Sequence, residues 1–135
     1  MSEFFQIRFE RWLGAASGEI THLQMLRAGM TPCWTPPVNV YRCARELIVC
    51  VDLAGVKNDN ISVQAEPRRL RIRGHRPPPE PRPHPNESLQ VLAMEIDYGR
   101  FERELILPDE IDPDRTVAEQ RDGWLWIRLP LKSQP

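Results

Sequence analysis

The stretch that decides the fold is ELIVCVDLAGV, residues 46–56. In an extended chain alternate side chains point to opposite faces, so Leu47, Val49 and Val51 would share one apolar face. Apolar and β-branched residues fill the run, and Gly55 follows it. This combination predicts a buried strand that ends in a turn.

The same period of two recurs on both sides of this strand. Polar turns and prolines separate the segments, and no helical pattern lies between them. The predicted strands are residues 38–41, 46–52, 61–65, 70–73, 89–97, 101–107, 116–120 and 124–129. About eight short strands at intervals of roughly ten residues predict an all-β fold, an immunoglobulin-like antiparallel β-sandwich.

The chain of 135 residues has room for one domain. Residues 34–131 are predicted to form the sandwich, and residues 132–135 a short tail. Residues 1–33 are an apolar-rich arm, predicted to be flexible and partly helical because Phe5, Phe9 and Trp12 could share one helical face. The alternative, a helix that packs on the domain as part of its core, stays open.

Proline marks one long loop. Six of the 14 prolines fall between residues 77 and 85, and each would remove a backbone donor from a sheet. Residues 75–88 are therefore predicted to form an extended excursion similar to polyproline II. An exposed loop is favoured over a ligand for an SH3-type domain.

The composition gives no reason to expect nucleic acid or a membrane as a partner. The net charge is -1, and the cluster of Arg69, Arg71 and Arg73 lacks the interleaved aromatic residues of an RNA-binding platform. A solvated face that pairs with acidic neighbours is favoured for this cluster. No apolar run approaches the roughly 20 residues that span a bilayer, and charged residues interrupt any signal-peptide core.

Patterns of catalytic or metal-binding residues are also missing. The three cysteines, at positions 33, 43 and 50, are not spaced as metal ligands and are interpreted as reduced, buried thiols of a cytoplasmic protein. No nucleophile motif, phosphate-binding glycine loop or zinc-binding histidine pair is present. The acidic residues 109–114 lack the glycine and the bidentate glutamate of a calcium loop. The sequence therefore predicts a protein that is not an enzyme and needs no cofactor or metal.

Four stretches, in order, resemble the small heat-shock proteins and their α-crystallin domain. They are WTPPVNVY at 34–41, ELIVCVDLAGV at 46–56, YGRFER at 98–103 followed by Leu107 and Pro108, and the signature A-x-x-x-x-G-x-L at Ala118, Gly123 and Leu125. One departure is Ala54, where the family usually has proline. Independently of any family, Gly123 suits a tight hairpin and Leu125 would face the core.

The resemblance implies an ATP-independent holdase chaperone of the stress response. Such a protein binds partly unfolded client proteins and prevents their aggregation. The alternative is a co-chaperone of the related CS-domain type, which docks on a larger chaperone. Clients would bind the aromatic arm, whose candidate residues are Phe4, Phe5, Phe9 and Trp12.

The resemblance also implies a mode of assembly. Family dimers of the bacterial and plant type form when the long loop carries a strand to the first domain strand of a partner. Here the exchanging segment would run from His75 to Leu89 and would pair with residues 38–41 of a second chain, including Val38, Val40 and Tyr41. The expected assembly is a homodimer, with higher oligomers that are small or are held together by the arm.

The family usually ends in an I-x-I anchor that docks in the edge groove of a neighbour. Residues 129–131 (LPL) belong to the last predicted strand, and no anchor follows them. The groove itself is expected to involve Ile61 and Val63 on one strand and Leu105 and Leu107 on another.

The last strand carries an unexpected pair of indoles. Trp124 and Trp126 alternate with Leu125, so they are expected on the outward face as an exposed aromatic patch. The family commonly has a small polar residue at position 126. The arm or a client is expected to cover the patch, and burial against Tyr41 or a partner chain is the open alternative.

Overall fold

The computed structural model describes the backbone of residues 8–10 and all of residues 33–132. Over these residues the chain forms two four-stranded sheets, ordered β1-β4-β5-β6 and β2-β3-β8-β7. No helix in the described ranges has the length and hydropathy to cross a membrane. The strands are β1 (Arg8–Glu10), β2 (Val38–Arg42), β3 (Glu46–Asp52), β4 (Ile61–Glu66), β5 (Arg69–Arg76), β6 (Gly99–Ile106), β7 (Val117–Arg121) and β8 (Trp124–Pro130), and short 3-10 helices cover Asn58–Asn60 and Pro113–Arg115.

Strand β3, formed by the deciding stretch, lies inside the second sheet. It pairs antiparallel with β2 and β8, which places Val49 in register with Val40 and Ile127. Leu47, Val49 and Val51 are at most 1% exposed. The predicted apolar face is confirmed as the side of the sheet that packs on the core.

The two sheets bury their inner faces against each other. The second sheet contributes Leu125, Ile127 and Leu129, and the first contributes Val63 and Ile72, all completely buried. Burial of each such side chain stabilises the fold by about 1.5–3 kcal/mol relative to exposure. The predicted β-sandwich is confirmed, and the pairing of β1 with β4 is its one parallel strand pair within the described ranges.

Trp34 joins the start of the domain to the first sheet. Its N–H donates to the carbonyl of Arg100 at 3.0 Å, and its carbonyl accepts from the N–H of Glu102 at 3.2 Å. Strand β2, in the second sheet, begins only four residues after Trp34. This short connection keeps the outer edges of β6 and β2 on the same side of the sandwich. Strand β4, whose outer side carries β1, and strand β7 lie on the opposite side, where the Gln120 amide donates to the carbonyl of Val56 at 2.6 Å.

The hairpin between β7 and β8 turns at Asp122 and Gly123. Both residues have positive φ angles, 53° and 83°, as a two-residue type I′ turn requires. A Cβ at Gly123 would lie 3.5 Å from the Cα of Ala54. The predicted hairpin is confirmed.

Two segments differ from the prediction. The helical spacing of the arm predicts a helix, but Arg8–Glu10 forms strand β1. Phe5, Ile7 and Phe9 also alternate with a period of two, and an open sheet edge favours that period. Residues 89–97 form no strand and pair with no sheet edge of the described residues.

Candidate functional site

The outer face of the second sheet is partly apolar. Val117 and Trp124 are 54% and 46% exposed, and Ile48 and Trp126 are half-buried. Arg128 lies between Ile48 and Val117 in the sheet register. We call the surface around the two tryptophans the indole face. It is a candidate binding surface, formed by a few side chains rather than by a deep pocket.

The indole of Trp126 carries a buried hydrogen-bond donor. Its N–H is shielded from solvent and has no hydrogen-bond partner among the described residues. The guanidinium of Arg121 lies 5.6 Å from the ring centroid, and a shallow cavity of about 160 Å³ beside the ring is lined by Val117, Glu119 and Arg128 among others. A buried donor without a partner costs about 1–3 kcal/mol. A carbonyl oxygen that entered this cavity would remove that cost.

The edge of β2 is a second candidate surface. Val38 is half-buried, whereas Val40 and Tyr41 are 44% and 48% exposed. Within the described residues β2 pairs only with β3, so its outer edge presents unpaired backbone groups. Such an edge can accept a strand from another chain.

The loop of residues 77–98 is a third surface. Leu89 is 55% exposed and Leu92 is 87% exposed. The other large apolar side chains exposed in this loop are Val91, Met94, Ile96 and Tyr98. A loop that exposes this much apolar surface lacks a packing partner within the part of the chain that the structure describes.

The predicted groove of Ile61, Val63, Leu105 and Leu107 does not form. Ile61, Val63 and Leu107 are at most 3% exposed and belong to the core. Leu105 pairs with Leu70, so β5 lies between the two halves of the predicted groove. The two-residue turn after β4 makes β5 the neighbour of β4, and this signal was available in the sequence. The edge that lies opposite β4 across the sandwich is β7.

The outer edge of β4 carries β1. Phe9 is in parallel register with Val63. Of the other predicted arm residues, Phe4, Phe5 and Trp12 lie outside the described residues. The helical spacing of the arm conceals β1, and the signal that indicates a strand is the alternation of Phe5, Ile7 and Phe9.

The arginine cluster on β5 pairs with acidic residues of β6. Arg71 lies 2.5 Å from Glu102, and Arg69 lies 3.4 Å from Glu104. The expected solvated face with acidic neighbours is confirmed.

The cysteines do not share one environment. Cys43 is exposed and Cys33 is half-buried, so the expectation of buried thiols holds only for Cys50. Burial raises the pKa of the Cys50 thiol above its usual value of 9.0, and the carboxylate of Asp52 raises the pKa further, while Arg121 opposes both. Within the ranges that the structure covers, no cluster of three or more His, Cys, Asp or Glu side chains could hold a metal ion.

The sequence model of the Hsp20/alpha crystallin family matches residues 42–135. This chain belongs to the Hsp20/alpha crystallin family. Its signature residues have the positions that the sequence suggested, with Leu125 completely buried, Ala118 9% exposed and Gly123 in the hairpin.

Individual proteins of the family show the same likeness. The chain is 34% identical over 101 residues to the 18 kDa antigen 1 of Mycobacterium avium, which covers 73% of this chain and 65% of the relative. It is 36% identical over 94 residues to a 17.0 kDa class II heat shock protein of Zea mays, with 69% and 58% covered. The chain thus spans less than two thirds of the length of these relatives.

Solved structures share the sandwich. The structure of hspA from Xanthomonas axonopodis has a TM-score of 0.62 at 32% identity and covers 75% of this chain and 97% of its own. Heat shock protein 16.0 from Schizosaccharomyces pombe has a TM-score of 0.60 at 30% identity, with 76% and 93% covered.

Proposed function

We propose that this chain is an ATP-independent holdase chaperone, which binds partly unfolded proteins and keeps them from aggregating. The observation that carries the proposal is the indole face, where Trp124 is 46% exposed beside the half-buried Trp126. Exposed apolar surface of this kind marks protein-binding sites. Membership of the family, and relatives whose names are heat shock proteins, support a chaperone role.

The proposed activity is binding without a chemical step. Several charged groups on the strands form ion pairs, as Arg128 does with Glu46 and Arg42 with Asp109 of the loop after β6, each at 2.5 Å. These pairs leave the apolar surfaces as the features that a client would contact. We place this activity in the cytoplasm, because the three cysteines are free thiols and such thiols suit a reducing compartment.

The functional unit that we propose is a homodimer that exchanges strands. The apolar loop of residues 77–98 would supply the strand, with Leu89 among its residues, and the outer edge of β2 at Val38–Arg42 would receive it. The exposed Leu92 and the unpaired edge at Val40 support this arrangement. Proline cannot donate to a sheet, so the pairing segment would start after the last proline of the loop, Pro85.

The function is tested by light scattering from a heat-labile client protein without ATP. Suppression of aggregation at a ratio of about one chain per client supports the holdase. Trp124→Ser together with Trp126→Ser should raise the ratio that is needed. No suppression at any ratio, together with capture by a larger chaperone, would replace the holdase by a docking co-chaperone of the CS type.

A further inference from the structure

Residues 77–85, PPPEPRPHP, follow β5 and form an exposed stretch that we call the proline segment. Six of these nine residues are proline, and every residue of the segment except Pro78 is exposed. Among the described residues, its one backbone hydrogen bond joins the N–H of Glu87 to the carbonyl of His84 at 3.1 Å. This composition favours polyproline II, which has no internal hydrogen bonds. The proline segment therefore presents apolar rings and backbone carbonyls to a surface that approaches it.

The indole face has the chemistry that binds such a segment. Grooves that recognise polyproline II are lined with aromatic side chains. Trp124 and Trp126 alternate with Leu125 on β8, the first 46% exposed and the second half-buried. The N–H of Trp126 has no hydrogen-bond partner among the described residues, and a cavity of about 160 Å³ borders its ring. A backbone carbonyl of a bound segment can supply the acceptor that this N–H lacks.

The proline segment and the indole face also match in length and charge. Polyproline II has three residues per turn, so Pro78 and Pro81 share one side and are about 9 Å apart. The indole face and its cavity follow residues 124–128 of β8, about 13 Å along the strand. The side chain of Arg121 is 44% exposed and lies beside the Trp126 ring. Its guanidinium can pair with the carboxylate of Glu80, which lies between the prolines.

A second copy of the chain is the occupant that the structure favours. Within one chain both features are open, since residues 79–85 are exposed and Trp124 is 46% exposed. In the proposed dimer, the loop of residues 77–98 crosses to the β2 edge of the other chain. Strand β2 lies two strands from β8 in the same sheet, a distance of about 10 Å. The exchange therefore brings the proline segment, which precedes the pairing residues, close to the indole face of the other chain.

We propose that the proline segment of one chain docks on the indole face of a second copy. Its prolines pack against Trp124 and Trp126, and one of its carbonyls accepts the N–H of Trp126. The contact is far smaller than the roughly 1,000 Å² of a stable interface, so it does not hold the dimer by itself. Strand exchange tethers the segment at an effective concentration of about 1 mM, which lets a weak contact form. This inference rests on the proposed homodimer and goes beyond the holdase, because it gives the indole face an occupant with which clients compete.

The first test measures, by fluorescence anisotropy, how tightly the full chain binds a labelled peptide of residues 76–86, RPPPEPRPHPN. A chain with Pro78→Ser and Pro81→Ser, which we call the open chain, lacks the tethered competitor. It should bind the peptide about tenfold more tightly than the unaltered chain, a difference of about 1.4 kcal/mol. A peptide with the same two substitutions is the matched control and should bind the open chain about tenfold more weakly. Equal affinity of the two chains, equal affinity of the two peptides, or no binding would overturn the proposal.

The hydrogen bond of Trp126 is tested within the open chain. Trp126→Phe removes the N–H but keeps an aromatic ring, and it should weaken peptide binding about tenfold. Trp124→Phe makes the same substitution two residues away. It should weaken binding by less than about threefold, because an apolar ring still packs against the prolines. An equal loss for both substitutions would overturn the assignment of a carbonyl to the N–H of Trp126.

A photo-crosslink identifies the chain that is contacted. With p-benzoylphenylalanine in place of Glu80, irradiation should give a product with the mass of two chains. Mass spectrometry should locate the link within residues 117–128 of the second chain. The same amino acid in place of Asp59, an exposed residue after β3, is the control and should not link to that range. A link from position 80 within one chain, or only to other residues, would overturn the proposal.

Light scattering separates this inference from the functions beside which it stands. If the crosslink and the peptide behave as expected but no variant suppresses client aggregation, the docking stands and the holdase is wrong. If the chain suppresses aggregation and has the mass of a dimer but shows neither contact, the holdase and the dimer stand and the docking is wrong. If the unaltered chain has the mass of one chain, the dimer and the docking are both wrong.

Discussion

The guanidinium of Arg76 lies 4.1 Å from the centroid of the Trp34 ring. The same group donates to the carbonyl of Asp97 through Nε at 2.8 Å and also through Nη2. Arg76 ends β5, and Asp97 lies two residues before β6, so one side chain holds both ends of the loop of residues 77–98. The Trp34 ring lies 5.4 Å from the ring of Phe101, which connects the base of the loop to the core.

Arg76→Ala should lower the free energy of unfolding by about 1–2 kcal/mol, because a cation–π contact contributes about 0.5–1 kcal/mol and a hydrogen bond a similar amount. Urea unfolding followed by tryptophan fluorescence measures the change. Arg82→Ala removes an exposed arginine of the same loop and should change the free energy by less than about 0.5 kcal/mol. Equal effects of the two substitutions would contradict the role of Arg76.

Gly74→Ala should be among the most damaging single substitutions in the sandwich. A Cβ there would overlap the carbonyl oxygen of Asn60 and lie 2.5 Å from Cζ of Phe101. We expect the free energy of unfolding to fall by about 3 kcal/mol, the upper end of the usual cost of overpacking. Gly55→Ala is the matched comparison, because Gly55 has a φ of 77° but open space around it. Gly55→Ala should lower the free energy of unfolding by only about 1–2 kcal/mol. A larger decrease for Gly55→Ala than for Gly74→Ala would show that space does not limit position 74.

Strand exchange through the loop predicts a dimer that depends on residues after Pro85. A chain without residues 88–96 should have the mass of one chain in multi-angle light scattering, whereas the unaltered chain should have the mass of two. Leu92→Glu should shift the mass in the same direction. Because Leu92 is 87% exposed in the single chain, its substitution should leave monomer stability within about 0.5 kcal/mol. Arg82→Glu adds an acidic residue to the same loop and serves as the control. A dimer mass after the deletion would refute the exchange.

The indole face predicts a separation of client binding from stability. Trp124→Ser should raise the chaperone-to-client ratio needed for protection about twofold or more, while it changes the free energy of unfolding by less than about 1 kcal/mol. Tyr98→Ser is the control, since Tyr98 and Trp124 are both 46% exposed. If both substitutions weaken protection equally, exposed aromatic area in general is responsible and the indole face has no special role.

The raised pKa of the Cys50 thiol predicts a loss of stability in alkali. Below the usual pKa of 9.0 the thiol is neutral in both states, and its contribution to stability is complete. As the pH rises above this value, the unfolded chain loses the proton first, so the free energy of unfolding falls. Urea unfolding at pH 8 and at pH 10.5, compared with Cys50→Ala, should show a larger decrease for the unaltered chain. An equal decrease in both chains would contradict the burial effect.

Much of the sandwich could be predicted because its signals are local. The alternation in β3 and β8 reports which side chains face the core, and the Asp122-Gly123 pair specifies a hairpin turn. The groove was predicted wrongly although a local signal opposed it, since the two-residue turn after β4 makes β5 its neighbour. The prediction joined Val63 to Leu105, whose strands are separated by β5. Which edges of the two sheets lie on the same side of the sandwich depends instead on how segments distant in sequence pair.

The contacts at the base of the loop of residues 77–98 also could not be predicted from the sequence. Trp34 and Gly99 are 65 residues apart, yet the indole N–H of Trp34 donates to the carbonyl of Gly99 at 3.2 Å. No spacing rule connects residues at such a distance. This hydrogen bond exists only in the assembled fold.

The amino-acid sequence by itself determined the strand period, the turn residues, the apolar faces and the indole pair on β8, because each of these is a property of neighbouring residues. Only the tertiary structure decided which strands are edges and what covers them. It left the edge of β2 without a partner among the described residues and placed Arg8–Glu10 on the edge of β4. The physical reason is that an edge is defined by the absence of a neighbour, and neighbours are chosen by long-range pairing that no local pattern encodes.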